Sequence, residues 1–141
     1  MNILKIKNDA DLNQAFEIRK KVFIQEQHVP AEEEMDEHDD TAIHFLGLED
    51  EEPIATSRLR FVDQYGKLER ICVLPDCRGQ SFGKQMILFM EKTISENGYT
   101  MSKLNAQTHA EEFYKRLGYE TTSDIFMDAG IPHVTMVKKL S

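Results

Sequence analysis

The segment from Leu68 to Lys84 constrains the fold more than any other part of the chain. Leu68-Glu69-Arg70-Ile71-Cys72-Val73-Leu74 reads as a strand. Pro75-Asp76-Cys77-Arg78-Gly79-Gln80-Ser81-Phe82-Gly83-Lys84 then turns directly into a helix predicted over about Phe82 to Asn97, with Gly98 at its C-terminal end. Helices commonly carry Asp or Glu in the first turn, where the acid complements the positive end of the dipole; here the first acid after the turn is Glu91. Arg78, Gly79, Gly83 and Lys84 surround that amide end, so backbone N–H groups, small residues and positive charge together form a cradle suited to pyrophosphate. A tight turn whose dipole is solvated by water is the competing reading, and the loop by itself does not separate the two. The spacing is neither Walker A nor the three-glycine dinucleotide fingerprint.

The remaining elements follow from periodicity. Ile3 to Lys7 alternates as a short strand, and Leu12, Ala15, Phe16, Val22 and Phe23 recur at helical spacing, predicting a helix from about Asp11 to Gln27, stopped by Pro30. Ala42 to Leu48 reads as a buried strand, followed by a Glu49 to Glu52 turn closed by Pro53. Ile54 to Val62 and Lys67 to Leu74 form a hairpin around Asp63 to Gly66. A strand near Met101 to Ala106 leads to a helix that opens at Thr108, where Thr108 and Glu111 have capping-box spacing, and closes at Gly118. Ile125 to Met127 and His133 to Lys139 read as two more strands around a Gly130-Ile131-Pro132 turn. A hairpin-rich first half and a strand–helix–strand second half imply an α/β fold with a mixed sheet and helices on its faces. The length of 141 residues fits one domain spanning 1–141, with no repeat or linker to divide it.

Charge excludes some functions. The formal net charge is −8, which disfavours nucleic acid, because binding a phosphate backbone needs a basic face. The longest apolar run, Met86 to Met90, is far short of the roughly 20 residues of a membrane-spanning helix, and Met1 to Asp9 has no secretory core, so no membrane partner and a cytoplasmic location are expected. Cys72 and Cys77 read as reduced thiols, and the five scattered histidines offer no ligand pair, so no metal is expected. Eleven of the twenty-five acidic residues fall between Glu32 and Glu52, a stretch without Lys or Arg. Its first part, Glu32 to Asp40 (EEEMDEHDD), is expected to be a solvated loop. A divalent-cation loop and a collar that attracts a cationic amine are the alternatives, and the missing central Gly excludes an EF-hand.

Val73 to Gly83 resembles the acetyl-coenzyme A signature of the GNAT superfamily of N-acetyltransferases, Arg/Gln-x-x-Gly-x-Gly/Ala: Arg78 and Gly83 match, and Ser81 stands where the first Gly is usual. Asn105-Ala106-Gln107 and Glu112 to Tyr119 are similar to the second hallmark, a strand ending in Asn and a helix with Phe-Tyr-x-x-x-Gly-Tyr/Phe. Val22 to Pro30, the acidic run and Ala129 to His133 resemble the small bacterial ElaA/YjcF-like branch, so the likeness covers nearly the whole chain. It implies the GNAT acyl-CoA N-acyltransferase fold, a mostly antiparallel central sheet with splayed parallel strands and helices on both faces. It also implies acetyl-CoA as co-substrate and direct acetyl transfer to a primary amine of a small acceptor.

The resemblance assigns roles residue by residue. The backbone of Ile71, Cys72 and Val73 would polarise the thioester and pair with the pantetheine arm, Asn105 would bond the pantetheine, and Arg78, Gly79, Gln80, Ser81, Phe82, Gly83 and Lys84 would hold the pyrophosphate. Tyr114 matches the general acid for the leaving thiolate, although Ala110, Phe113, Tyr114 and Leu117 also form an ordinary apolar stripe, and Phe113 is left to the core. Glu69 is the candidate base, with pairing to Arg70 or Lys67 as its alternative role. Glu26, Gln27, Arg58 and His133 are expected to line the acceptor pocket, with His133 an alternative base and with Arg58 equally able to pair with the acidic run instead. Cys72 takes no catalytic role. A catalytically silent coenzyme A-binding or interaction module, kept open by Ser81, is the rival function, and a homodimer is left open.

Overall fold

A computed structural model describes residues 1–140. In chain order, β1 (Asn2–Lys5) leads to α1 (Asp9–Arg19), which continues as a π-helical stretch, Lys20–Glu26, and α2 (Ala31–Glu34) is followed by a single 3-10 turn, Glu37–Asp40. β2 (Ile43–Glu49), β3 (Glu52–Val62) and β4 (Tyr65–Val73) form a meander, and α3 (Phe82–Glu96) returns the chain to β5 (Met101–Gln107). After α4 (Glu111–Arg116) come β6 (Glu120–Thr121), β7 (Phe126–Asp128) and β8 (Ile131–Lys139). The eight strands form one sheet in the order β1-β2-β3-β4-β5-β8-β6, with β7 paired to β8. Only β4 and β5 run parallel; the other neighbours are antiparallel.

Alternation along the strands divides the apolar residues between two faces. Phe45, Leu59, Leu68 and Leu104 belong to the core under α3, with Met86, Ile87, Met90 and Ile94 from the helix. Leu46 and Cys72 face the other way and pack with Ala15, Ile18 and Val22 of the first helix. Helices therefore cover both faces. Gly66 lies in β4 rather than in the hairpin turn, which is Asp63 and Gln64 alone, because Ile94 presses on the strand where a Cβ would overlap it.

Other departures have local causes. The first helix starts at Asp9, because Asn8 accepts a hydrogen bond from the Asp11 N–H at 2.8 Å and so caps it. Beyond Arg19 its bonds lengthen to i→i+5, as in Gln27 N–H to the Val22 carbonyl at 3.0 Å. Pro53 lies inside β3, after a turn made by Asp50 and Glu51. The predicted capping box at Thr108 is not formed: Thr108–Ala110 is a 3-10 turn without a side-chain cap, and Glu111 accepts a hydrogen bond from the Thr121 hydroxyl instead. That contact sits beside β6, a two-residue strand that periodicity does not reveal.

The acidic run is not a solvated loop. Glu34 and Asp39 are buried at 2% and 7% exposure, against Arg19 and Arg58, each 1% exposed. Arg19 donates to Glu34 at 2.8 Å and to Asp39 at 2.7 Å; Arg58 donates to Asp36 at 2.7 Å and to Asp39 at 3.0 Å. Burial alone would raise the Asp39 carboxyl, but the hydrogen bonds and charge of Arg19, with help from Arg58, hold it well below the usual carboxylate range. Glu32, Glu33, Glu37 and Asp40 remain exposed.

Candidate active site

The site begins where the sheet opens. Parallel pairing of β4 with β5 ends at Leu68 and Leu104, so from Glu69 and Asn105 onward the two strands diverge. Next to the split, β3 and β4 go from the Arg58–Glu69 pair to the Thr56–Cys72 pair, one more residue on β4 than on β3. The bulge sits at Arg70, in the left-handed region at a φ of 54°, and at Ile71, neither of which has a strand partner. Arg70 is fixed in that turn by donating to the Glu34 carbonyl at 3.1 Å and pairing with the Glu34 carboxylate at 3.1 Å. The buried part of the acidic run thus anchors the strand irregularity that frees the Ile71 backbone.

A groove of about 790 Å³ runs from that split to the head of α3. Ile71, Cys72, Val73, Arg78, Gly79, Ser81, Phe82, Gly83, Lys84 and Tyr114 all line it. Gln80 does not line it, and Asn105 lies instead in the adjoining cavity at the split, where its Oδ1 accepts from the Thr135 hydroxyl at 2.9 Å. Gly79 at φ 83° and Ser81 at φ 64° form the turn, so Ser81 holds a left-handed backbone that glycine adopts without strain. The Ser81 side chain does not cap the helix, and the first turn of α3 contains no acid. A Cβ built on Gly83 meets nothing within 4 Å, so the loop is open toward the groove. Unpaired amides, a positive rim and clear space fit the diphosphate and pantetheine of acetyl-CoA.

Cys72 lines the groove with a thiol pushed up to about 12 by burial, which makes it inert. Tyr114 is likewise pushed up to about 12 by burial, so its phenol stays protonated near neutral pH and has a proton to donate. Its ring meets Phe113 and Tyr119 edge to face, with centroids 5.1 Å and 6.0 Å away. Phe113 is 40% exposed and lines the groove, so it is not a core residue. Tyr114 and Leu117 of the same stripe do pack against the core.

Two further cavities, of about 290 and 350 Å³, adjoin the groove and share Phe23, Gln27, Arg70, Gln107, Asp128 and His133. His133 is brought here as expected. Its Nδ1 lies 2.7 Å from the Ile131 carbonyl, which can only accept, so Nδ1 carries a hydrogen and Nε2 is the ring nitrogen left for a ligand. Gln27 also lies at this junction, where it accepts from Gln107 Nε2 at 2.9 Å, and Gln107 Oε1 contacts His109 Nε2 at 2.6 Å. Sequence reading gave roles to neither Gln107 nor His109; their place just after Asn105 was the available signal.

Three expectations for the site change. Arg58 is not available to an acceptor, because its guanidinium is buried and committed to Asp36, Asp39 and Glu69. Glu26 is not in the acceptor pocket; it lies on the groove, paired with Arg78 at 2.7 Å. Glu69 lines the cavity at the split, but its two oxygens accept from Arg58 at 2.7 Å, from Arg60 at 2.9 and 3.1 Å, and pair with Lys67 at 3.2 Å. Burial would raise its carboxyl, but the Arg60 hydrogen bonds and the charges of Arg58 and Lys67 win, holding it at about 2. A carboxylate that weakly basic and that fully engaged is a poor proton acceptor, so Glu69 is reassigned from base to counter-ion.

Residues 6–140 match the family described as an acetyltransferase (GNAT) domain. YjcF of Bacillus subtilis (strain 168), an uncharacterized N-acetyltransferase, is 44% identical over 139 residues, covering 98% of this chain and 99% of YjcF. Among solved structures, ElaA of Escherichia coli aligns with a TM-score of 0.89 at 23% identity, over 99% of this chain and all of that one. An aminoglycoside 6'-N-acetyltransferase complexed with coenzyme A aligns with a TM-score of 0.74 at 15% identity, over 99% of this chain and 97% of that one. At those identities the likeness speaks for the fold.

Proposed function

The chain belongs to the GNAT acetyltransferase family, and from that premise we propose that it transfers the acetyl group of acetyl-CoA directly to a primary amine of a small acceptor. One observation carries the reading: the split between β4 and β5, with the unpaired Ile71 backbone at its edge, opens into both the groove and the cavities around His133. An extended thiol arm and an amine can therefore meet there from opposite sides. That the CoA-complexed aminoglycoside acetyltransferase shares the fold supports the same use of the groove.

The bound co-substrate supplies an acyl thioester, and the chain's residues do the rest. The Ile71 N–H donates to the thioester oxygen as negative charge develops on it. His133 takes a proton from the acceptor's ammonium at Nε2, freeing the amine lone pair that attacks the thioester carbonyl, and Tyr114 donates its hydroxyl proton to the departing sulfur. Phe23 and Ile131 give the acceptor cavity an apolar wall, while Glu33 and Asp128 leave it acidic. No helix among the described residues is long and apolar enough to cross a membrane.

The test is incubation of the protein with acetyl-CoA and a panel of primary amines, reading thiol release and acetylated product by mass. Turnover is expected for at least one amine, lowered about 100-fold or more in kcat by His133→Gln, and less by Tyr114→Phe. Tight coenzyme A binding with no turnover across the panel would favour the silent binding module. Full activity in His133→Gln would remove His133 as the base.

A further inference from the structure

The groove that fits the diphosphate also contains a carboxylate. Glu26 is the one acid lining it among the described residues, beside two cations, Arg78 and Lys84. Its oxygens accept from Arg78 Nη1 and Nη2, both at 2.7 Å, which fills the end-on edge of the guanidinium fork. Arg78 Nε donates to the Val73 carbonyl at 3.0 Å, which takes the side edge. Both edges through which an arginine grips a phosphate are therefore in use. Glu26 is also the last residue of the π-helical stretch, a departure from regular helix of the kind that recurs at functional sites.

The pair is strong in geometry and weak in environment. The Arg78 and Glu26 side chains are 43% and 39% exposed, so solvent screens them and the net contribution to stability is small. This contrasts with Arg19 and Arg58, which are buried under carboxylates they cannot leave without great cost. Arg78 is thus held by a partner that a better anion can displace.

We propose that Glu26 is a resident competitor for Arg78, a carboxylate that occupies the phosphate fork in the empty groove and sets the affinity for coenzyme A by having to be displaced. The proposal rests on the reading of the groove as the coenzyme A site. Diphosphate entry breaks two carboxylate hydrogen bonds at Arg78 and leaves Glu26 facing a like charge. Both effects weaken binding of the diphosphate part of the ligand and leave the pantetheine part untouched.

The experiment compares coenzyme A and pantetheine, which lacks the diphosphate, by calorimetric titration of the wild-type protein, Glu26→Gln, Arg78→Gln and the double variant. The expected result is a three- to tenfold lower Kd for coenzyme A in Glu26→Gln, with the Kd for pantetheine unchanged. In the Arg78→Gln background the same Glu26 change is expected to lower the Kd by a smaller factor than in the wild type, because only the like-charge repulsion is left to relieve; an equal factor in both backgrounds would overturn the competition for Arg78. An unchanged or higher Kd for coenzyme A in Glu26→Gln would overturn the proposal, the higher value meaning that Glu26 orients Arg78 instead. An equal gain for pantetheine would overturn it too. Failure of the wild-type protein to bind coenzyme A at all is a separate result, and it would remove the reading beneath the proposal.

Discussion

Two charged regions border β4 and use their charges in opposite ways. In the acidic segment, Arg19 and Arg58 are enclosed by Glu34, Asp36, Asp39 and Glu69 at 2.7 to 3.0 Å. At the head of α3, Lys84 and the helix amides have no anion in the first turn, and Arg78 has only an exposed one. The first set of charges satisfies itself and builds the bulge at Arg70; in the second, Lys84 and the helix amides are left over and Arg78 is held only by an exposed partner. Sign and number of charges do not separate a structural cluster from a binding cluster. Burial and completeness of pairing do.

That contrast breaks most visibly in the buried set. Asp39→Ala leaves Arg19 and Arg58 short of a partner inside the protein, and is expected to cost about 3–5 kcal/mol, or roughly 10–20 °C in midpoint, by thermal denaturation. Glu26→Gln, by contrast, should move the midpoint by no more than about 2 °C. Equal losses in the two variants would erase the distinction.

Acid gives the next largest effect. Asp36, Asp39 and Glu69 are all held below their ordinary values, so each adds stability that is complete above about pH 5 and is lost as the pH falls through the folded value, about 2 for Glu69. Thermal midpoints measured from pH 6 to pH 2 are expected to fall by roughly 5–10 °C, mostly below pH 4.5. A flat profile would mean that the cluster is already open in solution.

How much of this was legible in the chain follows the range of the interactions. The strand–turn–helix around Arg78 and Gly83 is encoded within seventeen neighbouring residues, and the structure has it where the sequence predicts. The burial of Glu34 and Asp39 depends on Arg19, Arg58 and Arg70, which lie 15 to 36 positions away in the chain, and no local pattern within EEEMDEHDD foretells it. Glu69 was misjudged for the same reason: its role is set by Arg58, across the hairpin, as much as by Lys67 beside it. Glu26 lies on the groove and not in the acceptor pocket, because the resemblance that points to it says nothing of where the π-helical stretch ending at Glu26 directs that position.

Smaller effects sharpen the ligand side. Ser81 is in the left-handed region without capping α3, so Ser81→Gly is expected to raise the midpoint by about 2 °C, read by thermal denaturation. A fall would mean that its hydroxyl holds the loop. Smallest of all, replacing the exposed Glu32 by Gln should change stability by no more than about 0.5 kcal/mol, since that carboxylate lies outside the buried cluster. A loss as large as that of Asp39→Ala would extend the cluster to the surface.

The most direct measurement is the thermal midpoint with and without acetyl-CoA. If the unpaired charge at the head of α3 holds the diphosphate, a hundredfold excess over the dissociation constant stabilises the fold by about 2.7 kcal/mol, a rise of roughly 5–10 °C. Free coenzyme A should do the same. No rise at millimolar ligand would contradict the account, and would leave the charges around α3 without the ligand they fit.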